Sequence, residues 1–133
     1  MRPQATVLSL RLFVIFSLIF SLAFASQAAD KKVALTPIYT VKETDEFIKL
    51  NKAALAALAE GKVTEAVAKL TDLETAWDAQ EAKLKPRNEK TWMLIDKTLD
   101  QGISALRGSK VDAAKGKAAL EDLLIKLTQA TKS

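Results

Sequence analysis

VTEAVAKLTDLETAWDAQEAKLKPRNEKTWMLIDKTLDQGISAL, residues 63–106, decides the fold. In its first half Val63, Ala66, Val67, Leu70, Leu73, Trp77 and Leu84 recur at steps of three and four, with Glu65, Lys69, Asp72 and Glu74 between them. That period belongs to an amphipathic helix with one apolar stripe, expected to run to Leu84. Pro86 stops it, because the residue before a proline resists the helical region. Asn88 caps the next helix, whose stripe is Trp92, Ile95, Leu99, Ile103 and Leu106. The chain therefore reverses about Pro86, and Trp77 and Trp92 fall at similar heights on facing stripes. Two indoles in contact bury a large area and add a pair term of ~1 kcal/mol. Both are assigned to the core in preference to an aromatic-lined ligand pocket.

Working outward, Thr40 with Glu43 three residues later matches a capping box, in which each side chain satisfies a free backbone N–H of the other. Phe47, Ile48, Leu50, Ala54, Leu55 and Leu58 continue the helical spacing, and Gly61 is the expected C-terminal cap. On the other side Gly108 closes a helix. Ser109 is the expected cap of the last one, with Asp112 at the box position beside the positive end of the helix dipole. Its apolar positions are Val111, Ala114, Ala118, Leu120, Leu123, Leu124 and Leu127, with Lys126 and Lys132 near its negative end. The turn Glu60-Gly61-Lys62 matches Gly108-Ser109-Lys110 in position, a weak internal repeat. The expectation is an all-α fold: an antiparallel four-helix bundle built from two αα-hairpins over residues 40–133. A tetratricopeptide-like pair also uses the Gly61, Ala66 and Leu70 spacing, but the two halves lie further apart than its repeat of about 34 residues.

Further out, residues 1–28 have the three-part layout of a secretory signal. Arg2 and Arg11 precede the apolar run Leu12–Phe24, and Ala25, Ser26, Ala28 and Ala29 follow. The run is about 13 residues, short of the roughly 20 that span a bilayer. Cleavage is expected after Ala28, with Ala25 as the second site, giving a periplasmic protein. The alternative is an inner-membrane anchor held by an uncleaved first segment, since Arg11 sits directly before the run. Residues 29–39, with Pro37 and no period, are expected to be a flexible leader that becomes ordered near the first helix.

The chain has no cysteine and no histidine. Thiolate nucleophiles, disulfides, cysteine-linked lipid, c-type haem attachment and most transition-metal sites are excluded, as is a Ser-His-Asp triad. Of the 20 basic residues, Arg2 and Arg11 leave with the signal, so 18 remain against 16 acidic ones. They are mixed along the chain, without the concentrated basic stripe that nucleic-acid binding needs. Asp96, Asp100, Glu121 and Asp122 are carboxylates on the last two helices, but bundle metal sites also need Glu-x-x-His. They read as solvated charges. No catalytic residue, metal or cofactor is assigned. Lys83, Lys85, Arg87 and Lys90 gather with Asn88 at the middle turn. They are the candidate contact for an anionic lipid headgroup, wall polymer or protein patch of the envelope.

From Ala57 to Leu127, the pattern of Leu58, Gly61, Ala66, Leu70, Leu73 and Trp77, then Trp92, Ile95, Asp96, Ala105, Leu106, Leu120 and Leu123, resembles a group of small exported bacterial helical proteins of unknown function. They carry two tryptophans around a central turn. A histidine that often follows the second tryptophan in that group has no counterpart here. The turn Glu60–Ala66 is similar to the last loop of cytochrome b562-type bundles, which implies the architecture without the haem, whose ligands are missing. Two functional expectations result. One is a non-enzymatic envelope module that binds a partner. The other is a membrane-anchored sensor or accessory domain, resembling the four-helix part of chemoreceptors but lacking their second span.

Overall fold

Helix α1, Val41–Ala59, starts at the capping box the sequence spells out: the Thr40 hydroxyl accepts the Glu43 N–H, and the Glu43 carboxylate accepts the Thr40 N–H at 2.8 Å. It ends at Gly61, whose φ of 73° is the left-handed conformation that glycine adopts without strain. There the Lys62 N–H donates to the Ala57 carbonyl and the Gly61 N–H to the Leu58 carbonyl, the paired closing bonds of a Schellman cap. The computed structural model describes residues 34–133; the expected export signal and residues 29–33 of the expected leader lie outside the described residues.

Helix α2 runs Val63–Ala79, α3 is the single turn Glu81–Leu84, a 3-10 turn covers Lys85–Arg87, α4 is Glu89–Arg107 and α5 is Ala113–Ala130. All five helices and the absence of any strand among the described residues make the protein all-α. Two expected boundaries move. The helix expected to reach Leu84 breaks at Gln80, where the backbone N–H bonds the Trp77 carbonyl at 3.0 Å, a three-residue closure that tightens the turn. The chain is redirected so that Leu84 is fully buried. At the last helix the cap is Asp112 and not Ser109: its carboxylate accepts the Lys115 N–H at 2.9 Å, while its own N–H is tied to the Ala105 carbonyl at 2.8 Å. That bond draws the loop back onto the last turn of α4, leaving Ser109 too early to cap.

α1 packs on α2 and on α5, and α4 packs on α5 and on α2. Phe47, Leu70, Leu73, Trp77, Trp92, Ile95, Leu99, Leu120, Leu123 and Leu127 fill the interior. The two indoles stack with centroids 3.8 Å apart and planes 8° from parallel, and Phe47 meets Trp77 edge-on at 5.3 Å. α4 and α5 approach closely at Gly116, where an added Cβ would lie 2.5 Å from a Leu106 methyl.

Near the first helix the chain is ordered against the domain. Leu35 and Tyr39 are buried, and the Ile38 and Tyr39 N–H groups both donate to the Ala130 carbonyl at 2.9 Å. The Lys132 N–H returns a bond to the Tyr39 carbonyl at 2.8 Å, so the chain before α1 docks along the tail that follows α5. The apolar residues Leu35, Ile38 and Tyr39 are a strap, too short to show a period.

Candidate functional site

The middle turn is mounted on the first turn of α1. Arg87 donates through Nη1 to both Glu43 oxygens at 2.8 and 2.9 Å and through Nη2 to the Ile38 carbonyl. Its guanidinium lies 5.6 Å from the centre of the Tyr39 ring, within cation–π range. Lys83 reaches the same Glu43 carboxylate at 3.2 Å, and Lys85 pairs with Glu81 at 2.7 Å. Lys90, on the first turn of α4, makes no ion pair among the described residues. The four cations singled out in the sequence are thus brought to one end of the helices, but in two kinds of environment. Arg87 and Lys83 hold the turn to α1 and the strap. Lys85 is tied within the turn to Glu81, and Lys90 is exposed at the start of α4.

Glu43 is the hub. Its side chain is 14% exposed and accepts from the Thr40 N–H, Arg87 and Lys83. The Thr40 bond first, then the guanidinium, hold its carboxyl down from the usual 4.5 to about 2. Tyr39 moves the other way: burial pushes its phenol up to about 12, with the nearby Arg87 opposing part of the rise. Glu43 was legible in the sequence as a helix cap. Its contact with Arg87, 44 positions on, had no local signal.

The carboxylates read as solvated charges divide. Asp96 accepts the Trp77 indole N–H at 3.1 Å, so it serves the aromatic stack. Asp100 and Asp78 both titrate above the usual aspartate range, through desolvation first and then repulsion from neighbouring acids: Asp96, Glu74 and Asp78 act on Asp100, and Glu74, Asp96 and Glu81 on Asp78. An acidic seam therefore runs between α2 and α4, relieved at one end by Arg107, which bonds Glu74 at 2.8 Å. Asp122 pairs with Lys126 at 2.5 Å, and the same ammonium donates to the Thr98 hydroxyl at 2.8 Å. Glu121 pairs with Lys117 at 3.6 Å. A shallow groove crosses α4 and α5 between Lys97, Gln101, Ser104, Lys115, Ala118 and Asp122.

Among the described residues no group of three or more acidic side chains is gathered in a way that holds a metal ion, and no helix is long and apolar enough to cross a membrane. No family model, curated protein or solved structure matches the chain.

Proposed function

We propose that this chain is a small exported helical module of the bacterial envelope that acts by binding and not by catalysis. Its helices form an antiparallel four-helix bundle of two αα-hairpins, and its contact surface for an anionic envelope partner is the turn end carrying Lys83, Lys85, Arg87 and Lys90. The observation that supports this most is the rigid mounting of that end. Glu43 and the Ile38 carbonyl hold Arg87 in place, so cations on the turn are presented in a fixed arrangement. A preorganised surface loses less side-chain and loop freedom on binding.

The mounting divides the roles. Lys85 and Lys90 are the residues to vary for binding, since reversing Arg87 or Lys83 would also disturb the clasp. Capture of envelope components by tagged protein, compared with Lys85→Glu/Lys90→Glu, is the test. The double variant is expected to fold normally and to lose capture, with the remainder less sensitive to salt. Equal capture at equal salt dependence would move the contact surface elsewhere. Sequencing the N terminus of the protein recovered from cells separates the exported module from the anchored alternative: Ala29 at the start supports release, and Met1 in membrane fractions supports an anchor.

A further inference from the structure

The exposed face of α4 carries a charge pattern that neither the core nor the clasp uses. Met93, in the second turn of the helix, is 57% exposed, and a shallow groove runs past it between Glu89, Lys90, Leu94 and Lys97. At about 100° per residue, Glu89, Asp96 and Asp100 fall to one side of Met93, within about 60° of it, and Lys90 and Lys97 fall as far to the other. The neighbouring helices agree with that division: Asp96 accepts the indole N–H of Trp77 on α2, whereas Lys97 lines the groove shared with α5. Acids therefore run down one side of the face and lysines down the other, with an apolar side chain between them. None of the five makes an ion pair among the described residues.

We infer that a second copy of this chain covers this face, in a two-fold dimer whose two α4 helices run parallel with Met93 against Met93 at the axis. Such a contact is isologous, the same patch on both copies, so the patch must complement itself. With the axis parallel to the helices, the acidic side of each copy meets the lysine side of the other: Glu89 faces Lys90 of the second copy, and Asp96 faces its Lys97. An antiparallel pair would instead set acid against acid and lysine against lysine, so the charges choose the direction as flanking charges do in paired helices. Lys97 of the second copy also brings a cation to the acidic seam, whose paired cation within one chain is Arg107. Methionine suits the centre, because its unbranched thioether adapts to an irregular contact. One helix face is a small interface, so the dimer is weak and concentration-dependent. Lys90 serves both this pairing and the binding reading above, so self-association and capture compete for it, and each is tested without the other.

Sedimentation of the purified protein alone, at concentrations up to about 1 mM, reads the pairing directly. Lys90→Glu/Lys97→Glu makes both sides of the face acidic, and Glu89→Lys/Asp100→Lys makes both basic. Each variant by itself is expected to dimerise about tenfold or more weakly than the wild type, and a mixture of the two to pair again, since each offers the charge the other lacks. Recovery on mixing also shows that both variants are folded. Because the chain has no cysteine, Ser104→Cys carries a single pyrene label on the same exposed face, eleven residues beyond Met93. In the parallel pair the two labels meet and give excimer emission, whereas an antiparallel pair holds them about 33 Å apart. A protein that stays monomeric throughout, a dimer indifferent to both charge reversals, or a mixture that does not pair would overturn the inference. A dimer without excimer emission would overturn the parallel arrangement.

Discussion

At the scale of single residues, the aromatic pair and the clasp dominate. Trp77→Ala removes the stack with Trp92, the edge contact with Phe47 and the bond to Asp96. Truncating a buried aromatic costs ~3–5 kcal/mol, much of the ~5–15 kcal/mol a domain has, so chemical denaturation should find it severely destabilised. A variant that melts normally would take the indole out of the core. The pair was legible because its helical stripes and the intervening proline were. Asp96 as the indole's acceptor was not, since nothing local distinguishes it from Asp100. The clasp role of Arg87 had no sequence signal, because a cation in a loop reads as surface whether it faces solvent or a partly buried carboxylate. Its side chain is 35% exposed, so Arg87→Glu should cost about 1–2 kcal/mol, below a fully buried pair, plus new repulsion with Glu43.

Among elements, the strap and the closest helix contact carry the account. Tyr39→Ala leaves a void where the strap meets α5 and should lower stability while speeding exchange of the Ile38 and Tyr39 amides relative to the core of α4. Unchanged protection there would show that the strap does not depend on its aromatic anchor. The helices themselves were readable from period and caps. The strap was not, because a few buried residues in extended chain leave no repeat to detect. The break at Gln80 was hidden for a related reason: the apolar stripe continues through Leu84 although the axis does not. Gly116→Ala puts a methyl against Leu106 and should cost about 1–3 kcal/mol despite alanine's better helix propensity. A stabilised variant would mean that Leu106 yields freely.

For the whole molecule, pH dependence sums these local charges. Glu43 titrates near 2 when folded against 4.5 ordinarily, so its stabilisation is complete above 4.5 and is lost as pH falls from there toward 2. Glu43→Gln should flatten the acid limb of a stability–pH curve over that window. Tyr39 acts at the other extreme: its phenol stays neutral up to about 12, so stability is present below 10 and is lost as pH rises through that interval. Asp78 and Asp100 oppose Glu43, since their raised values mean that the folded state is eased by their protonation. Asp100→Asn should raise the melting temperature at neutral pH. The all-α class was accessible from composition and period; the sharing of charge between distant turns depends on packing that no period encodes.

The central proposal is that Arg87 holds the cationic turn to α1 while Lys85 and Lys90, which do not touch α1 or the strap, make the binding contact. Measuring thermal stability and envelope capture side by side for Arg87→Glu and Lys85→Glu/Lys90→Glu tests it most directly. The account predicts that Arg87→Glu lowers the melting temperature, and that the lysine double variant melts like the wild type yet loses capture. A lysine variant that melts early, or one that melts normally and captures in full, would contradict it.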